Sequence, residues 1–279
     1  MNYNIVVVGL GLIGGSLAKA FQKYSHCRVT GIDSSPQVLA AALNCGAIRR
    51  KATPEDLKKA DLLFLCLYPQ ADIDFLRTHA SFLHTGCIIS DVCGIKSYLS
   101  PHLAEIAAQH GLIYVGGHPM AGKEKGGFAN SDADLFLGAS YLLVPCGAPE
   151  ESVHKMAGVA AELGCSGTVV TTPEEHDREI AFTSQLPHVI ACAYVKSPQC
   201  PGHAGFSAGS YRDVSRVASI NETMWTELFL DNRIALTKEL DTLISNLKDI
   251  RDAIDRQEEE TLCSLLREGR LIKERLEET

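Results

Sequence analysis

No stretch of the 279 residues is apolar for the roughly 20 positions that a bilayer-spanning helix needs. The most apolar segment, IVVVGLGLIGGSLAKAF from Ile5, is interrupted by four glycines and has no basic residues ahead of it, so neither a membrane span nor a signal peptide is expected. Lysines and arginines form no long run, and the net charge is −8, which argues against a nucleic-acid surface. The ten cysteines include no CxxC, so a zinc knuckle or dithiol redox motif is absent and no metal site is expected. Scattered thiols, Cys66 and Cys87 among them in apolar strand-like runs, fit a reducing cytoplasm. Internal repeats and low-complexity tracts are also missing. What is present, with 46% hydrophobic residues, is enough apolar material for one large domain or two ordinary ones.

The first half alternates between strand-like and helix-like segments. Ile5–Val8 is a β-branched run that leads into Gly9-Leu10-Gly11-Leu12-Ile13-Gly14 and then the helix-like SLAKAFQKY. This is GxGxxG between a buried strand and a helix, the context in which the motif binds a dinucleotide. Gly9 permits the tight turn, Gly11 lets a pyrophosphate approach, and Gly14 lets helix and strand pack closely. The helix start, with Leu12 and Ile13, offers N–H groups to the phosphates. A second strand, residues 28–32, ends at Asp33, 19 residues after Gly14, where a carboxylate can accept hydrogen bonds from a ribose. The same carboxylate repels a 2′-phosphate, and Ser34-Ser35-Pro36 supply no arginine to neutralise one, so NAD is expected over NADP. Ser35 before Pro36 already fits the N-cap and first position of the next helix. Further strands are expected at residues 61–68, 86–92 and 112–115, with a helix starting at Thr53-Pro54. Continuous apolar strands between helices imply a parallel, doubly wound sheet that binds ligands at the carboxyl ends of its strands.

The last of those strands leads into GGHPMAGKEKGGF, residues 116–128, which reads as a loop: one histidine among five glycines and a Lys-Glu-Lys triplet. Placed after a strand's carboxyl end, His118 stands where a nicotinamide would be, and a chemical role outweighs a decorative one.

From Thr172-Pro173-Glu174-Glu175 onward, helix signals dominate, which puts the domain boundary near residue 170: residues 1–170 for the dinucleotide and 171–279 helical. Pro187 should kink the helix-like HDREIAFTSQLPHVIACAYVK, with His188 just beyond. A single helix of some 35 residues is expected from about Ser219, spanning about 50 Å and meeting a second subunit. Arg212 and Arg216, four apart, would share a helical face, either solvated or lining a pocket with Gly205, Gly209, Tyr211 and Trp225.

With GLGLIG, HPMAGKEKGGF, HDREIAFTSQLPH and YRDVSRVASINETMW together, the chain resembles the prephenate dehydrogenases, NAD-dependent enzymes of tyrosine biosynthesis, over nearly its full length. The resemblance implies an α/β N-terminal Rossmann domain, doubly wound on a mostly parallel sheet, followed by an all-α C-terminal dimerisation domain, and a homodimer. It implies oxidative decarboxylation of prephenate to 4-hydroxyphenylpyruvate, with His118 taking the proton of the ring hydroxyl. Arg216 would hold a substrate carboxylate. Glu124 and Asp213 match acidic positions near that arginine, His188 one that orients the substrate, Gly209 one that approaches it through backbone, and His176 a position at the domain junction, read as structural.

Two departures stand out. The family often has DxxSVK where this chain reads DVCGIK, so Gly94 replaces a serine that touches the histidine, and another group or water must orient His118. It often has SHLPH where this chain reads SQLPH, so Gln185, expected near the substrate, cannot carry a positive charge. Prephenate is expected over arogenate because no acidic residue stands out as an ammonium partner. The other readings are an arogenate or dual-specificity cyclohexadienyl dehydrogenase, a β-hydroxyacid or imine-type dehydrogenase, and an NAD-sensing protein without chemistry, which only Gly94 favours.

Overall fold

A computed structural model describes residues 2–277. Five strands, β1 (Asn4–Val8), β2 (Arg28–Ile32), β3 (Leu62–Leu65), β4 (Ile88–Asp91) and β5 (Ile113–Tyr114), form a parallel sheet in the order β2-β1-β3-β4-β5. Between them run α1 (Leu12–Tyr24), α2 (Pro36–Asn44), α3 (Pro54–Lys58), α4 (Pro69–His79) and α5 (Leu99–Gln109). The uninterrupted apolar strands follow from burial on both faces. Ile5 and Val7 join Leu17, Phe21 and Phe64 in one core, while Val6 and Val8 join Leu63, Leu65, Ile73 and Leu103 in the other. Burying each such side chain contributes roughly 1.5–3 kcal/mol. Helix starts follow the local chemistry: Ser35 accepts from Val38 N–H, and Thr53 and Asp56 close a capping box.

A second sheet has the order β6-β7-β8, from β6 (Gly116–Pro119), β7 (Ser140–Val144) and β8 (Gly167–Val170), with α6 (Glu150–Glu162) before β8. The pairing of β6 with β7 is antiparallel, His118 opposite Leu142. The start of the glycine-rich segment is therefore a strand and not a loop: pairing with the apolar β7 outweighs the weak strand preference of Gly-Gly-His-Pro.

The helical part begins with α7 (Pro173–Ile180), capped by Thr172, whose hydroxyl accepts from Glu175 N–H. Residues Ala181–Gln185 form a π-helical turn that runs directly into α8 (Leu186–Tyr194). In place of a simple kink, the wider turn relieves the clash between the Pro187 ring and the carbonyl four residues back. α9 (Gly209–Ser215) and α10 (Glu222–Asp231) follow. The single long helix expected from Ser219 is instead two, α10 and α11 (Arg233–Asp255), because Asn232 leaves helical geometry at φ −107° and ψ 23°. Its buried side chain is drawn away, donating to Asp177 O at 2.9 Å and Gln185 Oε1 at 2.8 Å. The residues through Asn232 pack as one compact unit, and those from Arg233 form a second, made of α11 and α12 (Glu259–Glu277). Among the described residues no helix is long and apolar enough to cross a membrane, and no cysteine forms a disulfide.

Candidate active site

The turn between β1 and α1 is built by close approach. Gly9 has φ +85°, and a Cβ on Gly14 would lie 1.9 Å from the Gly9 carbonyl oxygen, so both are glycines for the protein's own sake. Gly11 differs: a Cβ there would meet no protein atom within 4 Å. Its bareness opens the surface at the α1 N-terminus, where the amides of Leu12, Ile13 and Gly14 have no partner one helical turn back. Asp33, at the end of β2, accepts from Leu10 N–H and Ser35 N–H, each at 2.8 Å, and these bonds fix its carboxylate beside the turn. A carboxylate has about four acceptor directions, so two remain for hydroxyls. An open cradle, outward amides and an acid with lone pairs to spare fit a dinucleotide.

His118 projects from β6 and is half-buried. Its Nδ1 lies 2.9 Å from His176 Nε2 on α7, and His176 Nδ1 lies 2.7 Å from Asp177 Oδ1. Burial first, then the nearby Lys96 ammonium and the His176 ring, push the His118 pKa well below the ordinary histidine value. Burial also lowers His176, against the opposing pull of Asp177. Asp177 stays below the usual carboxylate range although burial alone would raise it, because His176 and the Ser97 backbone N–H hold the ionised form. The sequence reading gave His176 only a structural place. Its contact with His118 joins α7 to β6 across 58 residues, which no local pattern announces.

Behind the ring lies a fully buried ion pair. Lys96 Nζ donates to Asp91 Oδ2 at 2.8 Å and to the carbonyls of Cys93 and Ile95 at 2.6 and 3.2 Å. Tyr114 donates its hydroxyl to Asp91 Oδ1 at 2.8 Å. These bonds tie the turn after β4, which carries Gly94, to the end of the sheet. A Cβ on Gly94 would sit 3.8 Å from His118 Cε1.

The other expected residues form a second group. Arg216, at the end of α9, pairs through its guanidinium with Glu124, which lies beyond β6 on the exposed part of the glycine-rich segment. Glu124 is held below the usual carboxylate range by its own backbone N–H and by that guanidinium. His188, on α8, stacks on Trp225 with ring centroids 3.9 Å apart and donates Nδ1–H to the Ser184 carbonyl at 2.8 Å. Burial lowers its pKa, and Arg216 lowers it further, so the two are electrostatic neighbours. Asp213 is exposed, with one carboxylate oxygen 4.0 Å from where a Cβ on Gly209 would be. Gln185 is not brought to this group: it is 1% exposed, its Nε2 donates to Leu228 O at 3.1 Å, and its Oε1 accepts from Asn232.

Both parts of the chain have known relatives. The nucleotide-binding domain model of prephenate dehydrogenase matches residues 17–170, and the dimerization domain model of prephenate dehydrogenase matches residues 172–268. A cyclohexadienyl dehydrogenase of Zymomonas mobilis is 33% identical over 277 residues, 95% of this chain and 93% of the relative. A prephenate dehydrogenase of Bacillus subtilis is 30% identical over 276 residues, 94% of this chain and 73% of the relative. Among solved structures, a prephenate dehydrogenase from A. aeolicus in complex with hydroxyphenyl propionate and NAD+ superposes with a TM-score of 0.86 at 25% identity, covering 99% of this chain and 98% of that one. With relatives over both its α/β part and the helices after residue 172, the chain belongs to the prephenate dehydrogenase family.

Proposed function

We infer that the protein is an NAD-dependent prephenate dehydrogenase, converting prephenate to 4-hydroxyphenylpyruvate and carbon dioxide in tyrosine biosynthesis. Residues 1–170 serve the dinucleotide, through Gly9, Gly11, Leu12, Ile13, Gly14 and Asp33, and residues 171–279 serve the substrate and dimerisation. NAD, when bound, supplies the hydride acceptor. His118 takes the proton of the ring hydroxyl on its Nε2, and loss of the ring carboxylate leaves the product ring aromatic. Arg216 holds a substrate carboxylate, which replaces Glu124 on the guanidinium in a charge-assisted contact. His188, fixed by Ser184 and Trp225, orients the substrate. Gly209 and Asp213 border the same side. The chain works as a homodimer through its C-terminal helices, in the cytoplasm, with no nucleic-acid or membrane partner.

The observation that carries this reading is the His118 imidazole on β6, beside Gly94 in the turn after β4, with a guanidinium held by the chain segment that follows it. Absorbance of NADH on adding prephenate tests it, with arogenate as the competitor. The expected result is a higher kcat/KM for prephenate, and a clear preference for arogenate overturns the substrate assignment.

A further inference from the structure

The proton acceptor in this reading needs one bare ring nitrogen held in place, and the hydroxyl that commonly serves the family at position 94 is missing. The space for it exists: a Cβ on Gly94 would lie 3.9 Å from His118 Nε2, an ordinary contact distance. The opposite edge of the ring is engaged, by His176 at 2.9 Å and through it by Asp177 at 2.7 Å.

Proton positions along that chain follow from its far end. Asp177 accepts the backbone N–H of Lys96 on Oδ1 and of Ser97 on Oδ2, each at 2.7 Å, which favours its ionised form. An ionised carboxylate can only accept, so the proton between it and His176 sits on His176 Nδ1. A neutral His176 then has a bare Nε2, and the proton between the two rings sits on His118 Nδ1. What remains is His118 Nε2, unprotonated and on the Gly94 side of the ring. Which nitrogen of a histidine is free is set by the bond the other makes.

We propose that His176 and Asp177 are positioning residues that lock His118 in its Nδ1–H tautomer, taking over the role that a hydroxyl at position 94 would fill. The proposal rests on the reading of His118 as proton acceptor. When Nε2 gains the substrate proton, the Nδ1–H bond to His176 becomes charge-assisted, and the Asp177 carboxylate behind it offsets the new charge without itself taking a proton. The other charged groups facing the rings, Lys96 and Asp91, are paired with each other at 2.8 Å.

Nitrogen-15 NMR of the histidine rings in the free wild-type enzyme reads the tautomer directly. The expected spectrum has His118 protonated on Nδ1 and bare on Nε2 at neutral pH; protonation on Nε2 overturns the proposal. Because this needs neither substrate nor variant, a correct tautomer in an enzyme that fails to oxidise prephenate would sink the proposed function alone. For the kinetic consequence, His176→Phe keeps the bulk and removes both nitrogens, with NAD affinity as the check on folding. The expected result is a fall in kcat on the order of 10²-fold with KM changed far less. Adding Gly94→Ser to His176→Phe should restore at least about tenfold of that loss, as expected for two devices acting on one ring. An equal gain from Gly94→Ser in both backgrounds, or an unchanged kcat in His176→Phe, overturns it.

Discussion

At His118 burial, Lys96 and His176 all oppose protonation, so the ring is neutral well below the ordinary histidine pKa of 6.5. A base works unprotonated, so kcat/KM should be level around neutrality and fall as pH drops through a midpoint below 6.5, one proton per site. A midpoint above 6.5 would remove His118 as the base. Stability has the same sign. With His118 and His176 both lowered in the folded state, the unfolded chain binds more protons below 6.5, so stability is full above that value and is lost as pH falls through it. Thermal melts across that range check this. In the proposed function Arg216 serves the substrate and not the dinucleotide turn, so Arg216→Ala should raise KM strongly and leave NAD affinity nearly unchanged in titration calorimetry. Asp33 and His118 could be singled out in the sequence because each comes soon after a strand, β2 or β5, that a local pattern marks. His176 could not be, since its contact spans 58 residues and depends on which strand pairs with which.

The β1–α1 turn separates two kinds of glycine, and substitution should separate them too. Gly14→Ala places a methyl 1.9 Å from a backbone oxygen, which no side-chain movement can relieve. It should cost at the upper end of about 1–3 kcal/mol or more, read as a lower Tm or lost soluble protein. Gly11→Ala meets no protein atom and should leave Tm alone while weakening NAD at least about tenfold, or about 1.4 kcal/mol. Among the elements, capped helices and buried strands were readable from three to eight residues at a time. The π turn was not, because proline signals a disturbance and not its form. The wider turn holds more residues per turn than the α-helices on either side, so it changes which residues of α8 share a side with those of α7. The strand at Gly116–Pro119 and the break at Asn232 were hidden for a related reason: partners far along the chain, β7 and Gln185, decide them.

For the whole molecule, α11 and α12 leave Ile244, Leu247, Ile254, Leu266 and Ile272 more than half exposed. That much apolar surface on two helices fits a subunit interface, and sedimentation should give twice the chain mass. Leu247→Asp with Leu266→Asp should shift it to the monomer; an unshifted dimer would place the interface elsewhere. The alternation of strands and helices made the doubly wound sheet legible, since both faces had to be covered, while the division at Asn232 had no composition change to mark it. Lys96, finally, has no route to solvent: it is 0% exposed, and its ammonium is answered by Asp91 and two carbonyls. Breaking such a pair costs about 3–5 kcal/mol, against a total stability of about 5–15 kcal/mol. A growth-based genetic screen would therefore group Lys96 with the residues of the reaction, yet its variants would be found among the insoluble or degraded protein, absent from the assay before any rate could be measured.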